Sequence, residues 1–100
     1  MKIKAYAIRP GDFQGHFIDI ENELEPLQEF VGGYIETVSL FTNLVIICNE
    51  EGRLRDMDYC CTILGHDFVG PVLIVGRDRD EFDDVPFTFE TGLRKLLGVK

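Results

Sequence analysis

The chain has 100 residues, 45% hydrophobic and 28% charged, which excludes a disordered chain and indicates one domain over residues 1–100. A formal net charge of −8 argues against direct nucleic-acid binding, which needs a basic surface, and favours attraction to a basic protein. No apolar run approaches the roughly 20 residues that span a bilayer, and Met1-Lys2 leads into a strand-like pattern. We therefore expect no membrane contact and a cytoplasmic location.

Two strands and a helix are predicted first along the chain. Alternating apolar and polar residues predict strands over 2–8 and 16–20, and their short connection predicts a hairpin. Apolar residues then recur at i, i+3 and i+7 within 24–31, which predicts an amphipathic helix with Asn22 as its N-cap. The glycines at 32–33 are expected to end this helix, because glycine adopts the left-handed conformation without strain.

Strands follow the paired glycines. Residues 34–40 are rich in β-branched and aromatic side chains and predict a strand with one better-buried face. Residues 44–48 contain no polar residue, as expected of a central strand covered on both sides. Residues 53–71 show no sustained period, and within them 59–64 fit either a helical turn or a short strand. Residues 72–75 again predict a buried strand.

The composition changes after the last buried strand. Residues 77–86 form the acidic run RDRDEFDDVP, for which we expect an exposed loop. Apolar residues at helical spacing then predict a closing helix between Thr88 and Gly98. In chain order the elements are ββαββ, an irregular segment, and βα. We expect an α+β domain with a mixed, mainly antiparallel sheet of about five strands and helices packed on one face.

The cysteines and the acidic run carry the residue types of metal or catalytic sites. The three cysteines are an odd number with two adjacent, so the pattern indicates a reducing compartment and no disulfide framework. Cys60 and Cys61 point apart in a strand and lack the spacing of a zinc site with His66. Residues 78–83 lack the glycine of a calcium loop. We predict no catalytic residue, no metal and no cofactor.

One group of side chains predicts a small-ligand site, provided that the strands over 34–40 and 44–48 pair. An aromatic ring, an amide and two guanidiniums would then meet near one end of the sheet. Arginine forks suit carboxylates and phosphates, and tyrosine offers a stacking surface. The candidate ligand-binding residues are Tyr34, Glu36, Asn49, Arg53 and Arg55. The alternative is that both arginines only neutralise neighbouring carboxylates within 50–58.

Several segments together resemble one protein family. They are the sequence DIEN at 19–22, VGGYIE at 31–36, NEEG at 49–52 and GPVLIVG at 70–76. In this combination the chain resembles the family known as domain of unknown function 3846. The resemblance implies an origin in bacteriophages or bacterial mobile elements, and it implies no catalytic residues because the family has no established activity.

Three functions are compatible with these patterns. The leading hypothesis is a non-enzymatic protein that docks onto a basic surface of a host protein, such as a defence or nucleic-acid enzyme. The second is a protein that sequesters a small anionic ligand or nucleotide. The third is a DNA mimic, which would need the carboxylates of 21–29, 50–58 and 78–84 to align in a double row. Two apolar strands of undetermined position also leave homodimerisation through a sheet edge open.

Overall fold

The computed structural model describes residues 1–12, 14–41 and 43–86. Its elements are β1 (Lys2–Ile8), β2 (His16–Glu21), α1 (Leu24–Val31), β3 (Ile35–Phe41), β4 (Leu44–Asn49), β5 (Tyr59–Ile63), β6 (His66–Val69), β7 (Val72–Asp78) and β8 (Glu81–Asp83). Six strands form the main sheet in the order β2-β1-β7-β4-β3, with β8 also paired to β7. A separate two-stranded sheet consists of β5 and β6.

The strands at the centre of the sheet are the most apolar ones. All six residues of β4 are buried, and β7 is buried from Val72 to Gly76. These runs are apolar on both faces because a layer covers each face, which confirms the prediction of a central strand at 44–48. Both strands pair antiparallel with each other, and Ile46 lies opposite Ile74.

One face of the sheet packs against α1. We call this set the helix-face cluster; its buried members are Ile3, Ala5, Ala7, Leu27, Val31, Val45, Ile47, Leu73 and Val75. The strand residues in it lie two apart, because successive side chains of a strand point to opposite faces.

The other face packs against the β5–β6 hairpin. We call this set the hairpin-face cluster; its buried members are Tyr6, Ile8, Leu44, Ile46, Cys48, Cys60, Ile63, Phe68, Val72, Ile74 and Val85. The hairpin contributes Ile63 and Phe68, which are 0% and 6% exposed. The described molecule is therefore three layers: a helix, a sheet and a two-stranded ribbon.

The helix has the predicted end and an unexpected start. Gly32 has φ 82° and its N–H donates to the carbonyl oxygen of Gln28 at 2.8 Å, which confirms the glycine stop. Asn22 is not the N-cap: Glu23 occupies that position without a side-chain hydrogen bond. The Asn22 amide instead donates to the Phe82 carbonyl oxygen at 2.9 Å and ties the helix entrance to β8.

Two hairpins lie in segments for which no hairpin was predicted. Residues 53–71, where 59–64 fitted either a helical turn or a short strand, contain β5 and β6, which pair between Tyr59 and Val69. The loop expected over 77–86 is wrong, because β7 continues to Asp78 and β8 returns along it. The predicted β1–β2 hairpin is confirmed, with Lys2 opposite Glu21.

The fold-class prediction holds in its coarser form: the described chain is mostly antiparallel sheet with one short helix. The sheet has six strands where about five were expected. Every pairing among the described strands is antiparallel, so the expected mixed character is absent from this part of the chain. The closing helix predicted between 88 and 98 lies outside the described residues.

Candidate functional site

An open cleft of about 230 Å³ lies where the end of β4 meets the following turn and the β6 strand. Apolar side chains, among them Val38, Leu54 and Phe68, contribute part of its lining. Its polar lining consists of Glu36, Cys48, Asn49, Glu50, Arg53, His66 and Asp67. The cleft thus joins three of the predicted ligand-binding residues to a thiol and an imidazole that the sequence analysis did not select.

Strand register places Glu36 and Cys48 side by side. The two residues are directly opposite in the β3–β4 pair, on the face that carries the hairpin-face cluster. The Cys48 Sγ lies 3.7 Å from the Glu36 carbonyl oxygen and 4.0 Å from its Oε2. Burial, aided by the Glu36 charge, raises the pKa of the Cys48 thiol to about 11.

Asn49 is an internal anchor at the wall of the cleft. Its side chain is only 5% exposed. Its Nδ2 donates to the Val31 carbonyl oxygen at 3.0 Å, and its Oδ1 accepts from the Glu51 backbone N–H at 2.7 Å. Both ends of the amide are therefore engaged, and Asn49 holds the end of α1 against the turn that follows β4.

The two arginines point to different places. Arg53 donates through Nη2 to the Asp67 carbonyl oxygen at 2.9 Å and bridges the turn to β6 beside the cleft. Arg55 donates through Nη1 to the Gly32 carbonyl oxygen at 2.7 Å, and it does not line the cleft. Both guanidiniums bind carbonyl groups, and within the described residues neither forms an ion pair with a carboxylate. The alternative, in which both arginines only neutralise neighbouring carboxylates within 50–58, stays a prediction, because charges interact beyond the distance of a direct ion pair.

Tyr34 lies outside the cleft, with 65% of its surface exposed. It is held next to the site only by its backbone, since the Glu50 N–H donates to the Tyr34 carbonyl oxygen at 2.8 Å. The strands over 34–40 and 44–48 do pair as expected. Of the five predicted ligand-binding residues, the cleft nevertheless contains only Glu36, Asn49 and Arg53.

His66 and Cys48 are among the lining residues that sequence reasoning missed. His66 opens β6 opposite Ile63, so its position depends on a hairpin that had not been predicted. Cys48 was placed correctly in the apolar strand but was treated only as a core residue. The signal that would have found both is the pairing of β5 with β6, which folds His66 onto the end of β4.

A thiol, an imidazole and carboxylates thus line one cleft, and this combination is found in nucleophilic enzymes. Activation would require a lowered thiol pKa, because the thiolate is the nucleophile. The pKa of Cys48 moves in the opposite direction, to about 11. Among the described side chains, no group of three or more His, Cys, Asp and Glu residues is arranged to hold a metal ion. A thiol whose pKa is raised to about 11 is a poor nucleophile near neutral pH.

The adjacent cysteines differ from expectation. The register of β5 shifts between Tyr59 and Cys61, so Cys60 is the extra residue of a β-bulge. Both sulfurs pack toward the hairpin-face cluster instead of pointing apart. All three cysteines of the chain are free.

These features define a small antiparallel-sheet protein with one covering helix, one covering hairpin and a polar cleft between the hairpin and the sheet. A family model matches residues 1–96, and the chain belongs to that family, Domain of unknown function (DUF3846). No curated protein matches the chain, and no solved structure does either. Among the described residues no helix has the length and apolarity needed to cross a membrane.

Proposed function

We propose that this α+β chain is a small non-enzymatic binding protein of phage or mobile-element origin, which docks onto a basic surface of a host protein in the bacterial cytoplasm. The supporting observation is an acidic surface that the chain leaves unpaired. Within the described residues the only ion pair joins the Met1 ammonium to Glu21 Oε2 at 3.0 Å. The other described carboxylates form no ion pair within the described chain, although those of Asp12, Asp67, Asp83 and Asp84 accept hydrogen bonds, and their charge can attract cations of a partner.

Four described arginines contact neutral groups of the chain and form no ion pair with a described carboxylate. Arg53 and Arg55 donate to carbonyl oxygens, and Arg77 donates to the Ser39 hydroxyl. The Arg9 guanidinium lies over the Phe30 ring, 4.6 Å from its centroid. The chain therefore uses these cations to support its own fold, although its sequence holds 18 acidic residues against 10 basic ones.

Two exposed apolar side chains give this surface an anchor. Leu54 is 87% exposed and Tyr34 is 65% exposed. Both lie beside carboxylates: Leu54 shares the cleft lining with Glu36 and Glu50, and Tyr34 is bonded through its backbone to Glu50. An apolar or aromatic centre with a charged rim is the usual composition of a protein-binding surface.

The test is retention of a host protein on the immobilised chain, at about 50 mM and about 500 mM salt. We expect a specific partner at low salt, with loss of binding at high salt because the carboxylate charge is screened. The double variant Leu54→Ala/Glu50→Lys should abolish retention. Its matched control is Leu24→Ala/Glu29→Lys, which makes the same two kinds of substitution on α1, away from the proposed site. No retained protein at low salt, or equal loss with both variants, would refute this site.

A second candidate function is sequestration of a small anionic ligand. It is favoured by the cleft of about 230 Å³, in which the Arg53 guanidinium and the His66 imidazole share the lining. A ligand present at 100 times its Kd adds about 2.7 kcal/mol of stability, which is readily measured as a shift of Tm. We expect such a shift from one member of a nucleotide and carboxylate panel, lost in Arg53→Ala and kept in Lys2→Ala. A flat panel would eliminate this function.

A further inference from the structure

The β-bulge in β5 brings two consecutive thiols to one place. Tyr59 lies opposite Val69 and Cys61 opposite Phe68, so three residues of β5 face two of β6. A bulge redirects a side chain that would otherwise point to the other side of the strand. Cys60 belongs to the buried hairpin-face cluster, and the Cys61 side chain packs against the same cluster. The two sulfurs are consequently neighbours and not on opposite faces.

The two thiols differ in character. Cys60 is 9% exposed, and its thiol donates to the Ile8 carbonyl oxygen at 3.5 Å. Interaction between the two thiols lowers the pKa of Cys61 and raises that of Cys60, and burial raises the pKa of Cys60 further. Cys61 is partly exposed, so the pair combines a buried thiol with a more accessible one of lowered pKa.

We propose that Cys60 and Cys61 form a dithiol site for soft, thiophilic ligands, of which trivalent arsenicals are the class that best fits two adjacent sulfurs. Thiolates select soft ions over hard ones. With an organoarsenic oxide, two As–S bonds form and the arsenic–oxygen double bond breaks. The two thiol protons leave with that oxygen as water. Arsenic remains trivalent and sulfur is not oxidised, so no oxidant is required.

The Cys60–Cys61 site lies on the hairpin that also lines the polar cleft. Cys60 contacts the end of β1 through Ile8, at the junction between the hairpin and the main sheet. The partner strand of the same hairpin supplies His66 and Phe68 to the cleft. A ligand that bridges the two sulfurs is therefore bound to β5, the strand that pairs with the cleft-lining strand β6.

The test uses phenylarsine oxide and the full-length protein, followed by native mass spectrometry. We expect one equivalent bound, with the mass gain of the arsenical minus one water, and release by a dithiol such as 2,3-dimercaptopropanol. A monothiol at the same concentration should not release it. Two sulfurs held together bind through a chelate effect, so Cys61→Ser should lose about a hundredfold in affinity.

The controls separate a dithiol site from ordinary thiol reactivity. Cys48→Ala removes the third thiol and should bind like the wild type. Cys61→Ser alters a partly exposed side chain and is the variant of choice should Cys60→Ser fail to fold. Absence of binding to the native wild type, release by the monothiol, or unchanged affinity in Cys61→Ser would each overturn the proposal.

Discussion

Asn49 joins three parts of the molecule through one buried side chain. It lies at the end of β4, its amide donates to the last residue of α1, and its carbonyl accepts from the turn at Glu51. A buried donor or acceptor left without its partner costs about 1–3 kcal/mol. The position therefore tolerates neither an apolar side chain nor an acidic one, although both have similar size.

Asn49→Asp tests this anchor. At about pH 7 we expect a loss of about 3 kcal/mol, since a carboxylate cannot donate to the Val31 carbonyl oxygen and its charge is buried. Burial raises the pKa of a carboxyl group, so the loss should shrink as the pH falls and protonation restores a donor. Urea unfolding at about pH 7 and about pH 4 measures both effects. The control Glu51→Gln should stay within about 0.5 kcal/mol of wild type, and an equally small effect at position 49 would contradict the assignment.

The Cys48 thiol makes stability depend on pH in the alkaline range. Its pKa is about 9 in the unfolded chain and about 11 in the folded one, owing to burial and then to Glu36. The unfolded state therefore loses this proton first as the pH rises. The associated stability is present below pH 9 and is lost between pH 9 and pH 11.

Cys48→Ala removes this titration. We expect the variant to have a lower stability at neutral pH but a shallower decline between pH 9 and pH 11 than the wild type. Thermal or urea unfolding across that window gives the two slopes. Glu36→Gln should produce an intermediate slope, because it removes only the second cause of the shift. Parallel curves for wild type and Cys48→Ala would show that this thiol does not titrate as described.

At the scale of elements, the β7–β8 hairpin depends on glycine at position 76, because there is no room for a side chain there. A Cβ at Gly76 would lie 2.1 Å from the backbone oxygen of Asp84, where the chain leaves β8. Backbone cannot yield as a flexible side chain would, so Gly76→Ala should cost more than about 3 kcal/mol in urea unfolding. Gly11→Ala is the control: Gly11 has φ 89° with nothing within 4 Å of the added carbon. Only backbone strain of about 1–2 kcal/mol is expected there, and equal costs would refute the close approach.

The same hairpin explains why part of the fold escaped sequence reasoning. β8 carries Glu81 and Asp83 on exposed positions, with only Phe82 partly buried, so its composition resembles a loop. The β5–β6 turn is Leu64-Gly65, with φ 49° and 81°, and lacks the Asn-Gly or Asp-Gly pair that signals a tight hairpin. Strands with continuous apolar runs were found, because burial on both faces leaves an unmistakable pattern.

The candidate site was predictable to the extent that it depends on β3 and β4. Their pairing places Glu36 opposite Cys48 and Asn49 opposite Ile35, and Glu36 and Asn49 both line the cleft. Arg53 and Arg55 were assumed to leave β4 side by side. The chain instead turns repeatedly after Glu50, with Asp56 at φ 57°, so the two side chains diverge. Turn geometry of this kind is set by long-range contacts, and local sequence does not reveal it.

At the scale of the whole molecule, the two outer strands of the sheet order, β2 and β3, differ in how strongly their charges oppose pairing with a strand of another molecule. β2 carries Asp19 and Glu21 on its short length, whereas β3 carries only Glu36. Antiparallel strands alternate between bonded and non-bonded pairs. The bond from the Glu50 N–H to the Tyr34 carbonyl oxygen sets the alternation, so Thr37 directs its backbone groups away from β4. Among the described strands none pairs with this side of β3, and such a row of N–H and C=O groups is a template for a second strand.

We predict that two copies pair through β3 at high protein concentration, and that the dimer fraction rises with salt. The net charge of −8 repels the copies, and screening over a Debye length of about 8 Å removes that repulsion. Docking onto a basic partner should show the opposite salt response. Thr37→Pro deletes one outward N–H without breaking a bond to β4, and it should leave a folded monomer. Thr37→Val keeps the N–H and should still dimerise. Light scattering after size exclusion measures both, and a wild type that stays monomeric at every salt concentration would show that the β3 edge is protected.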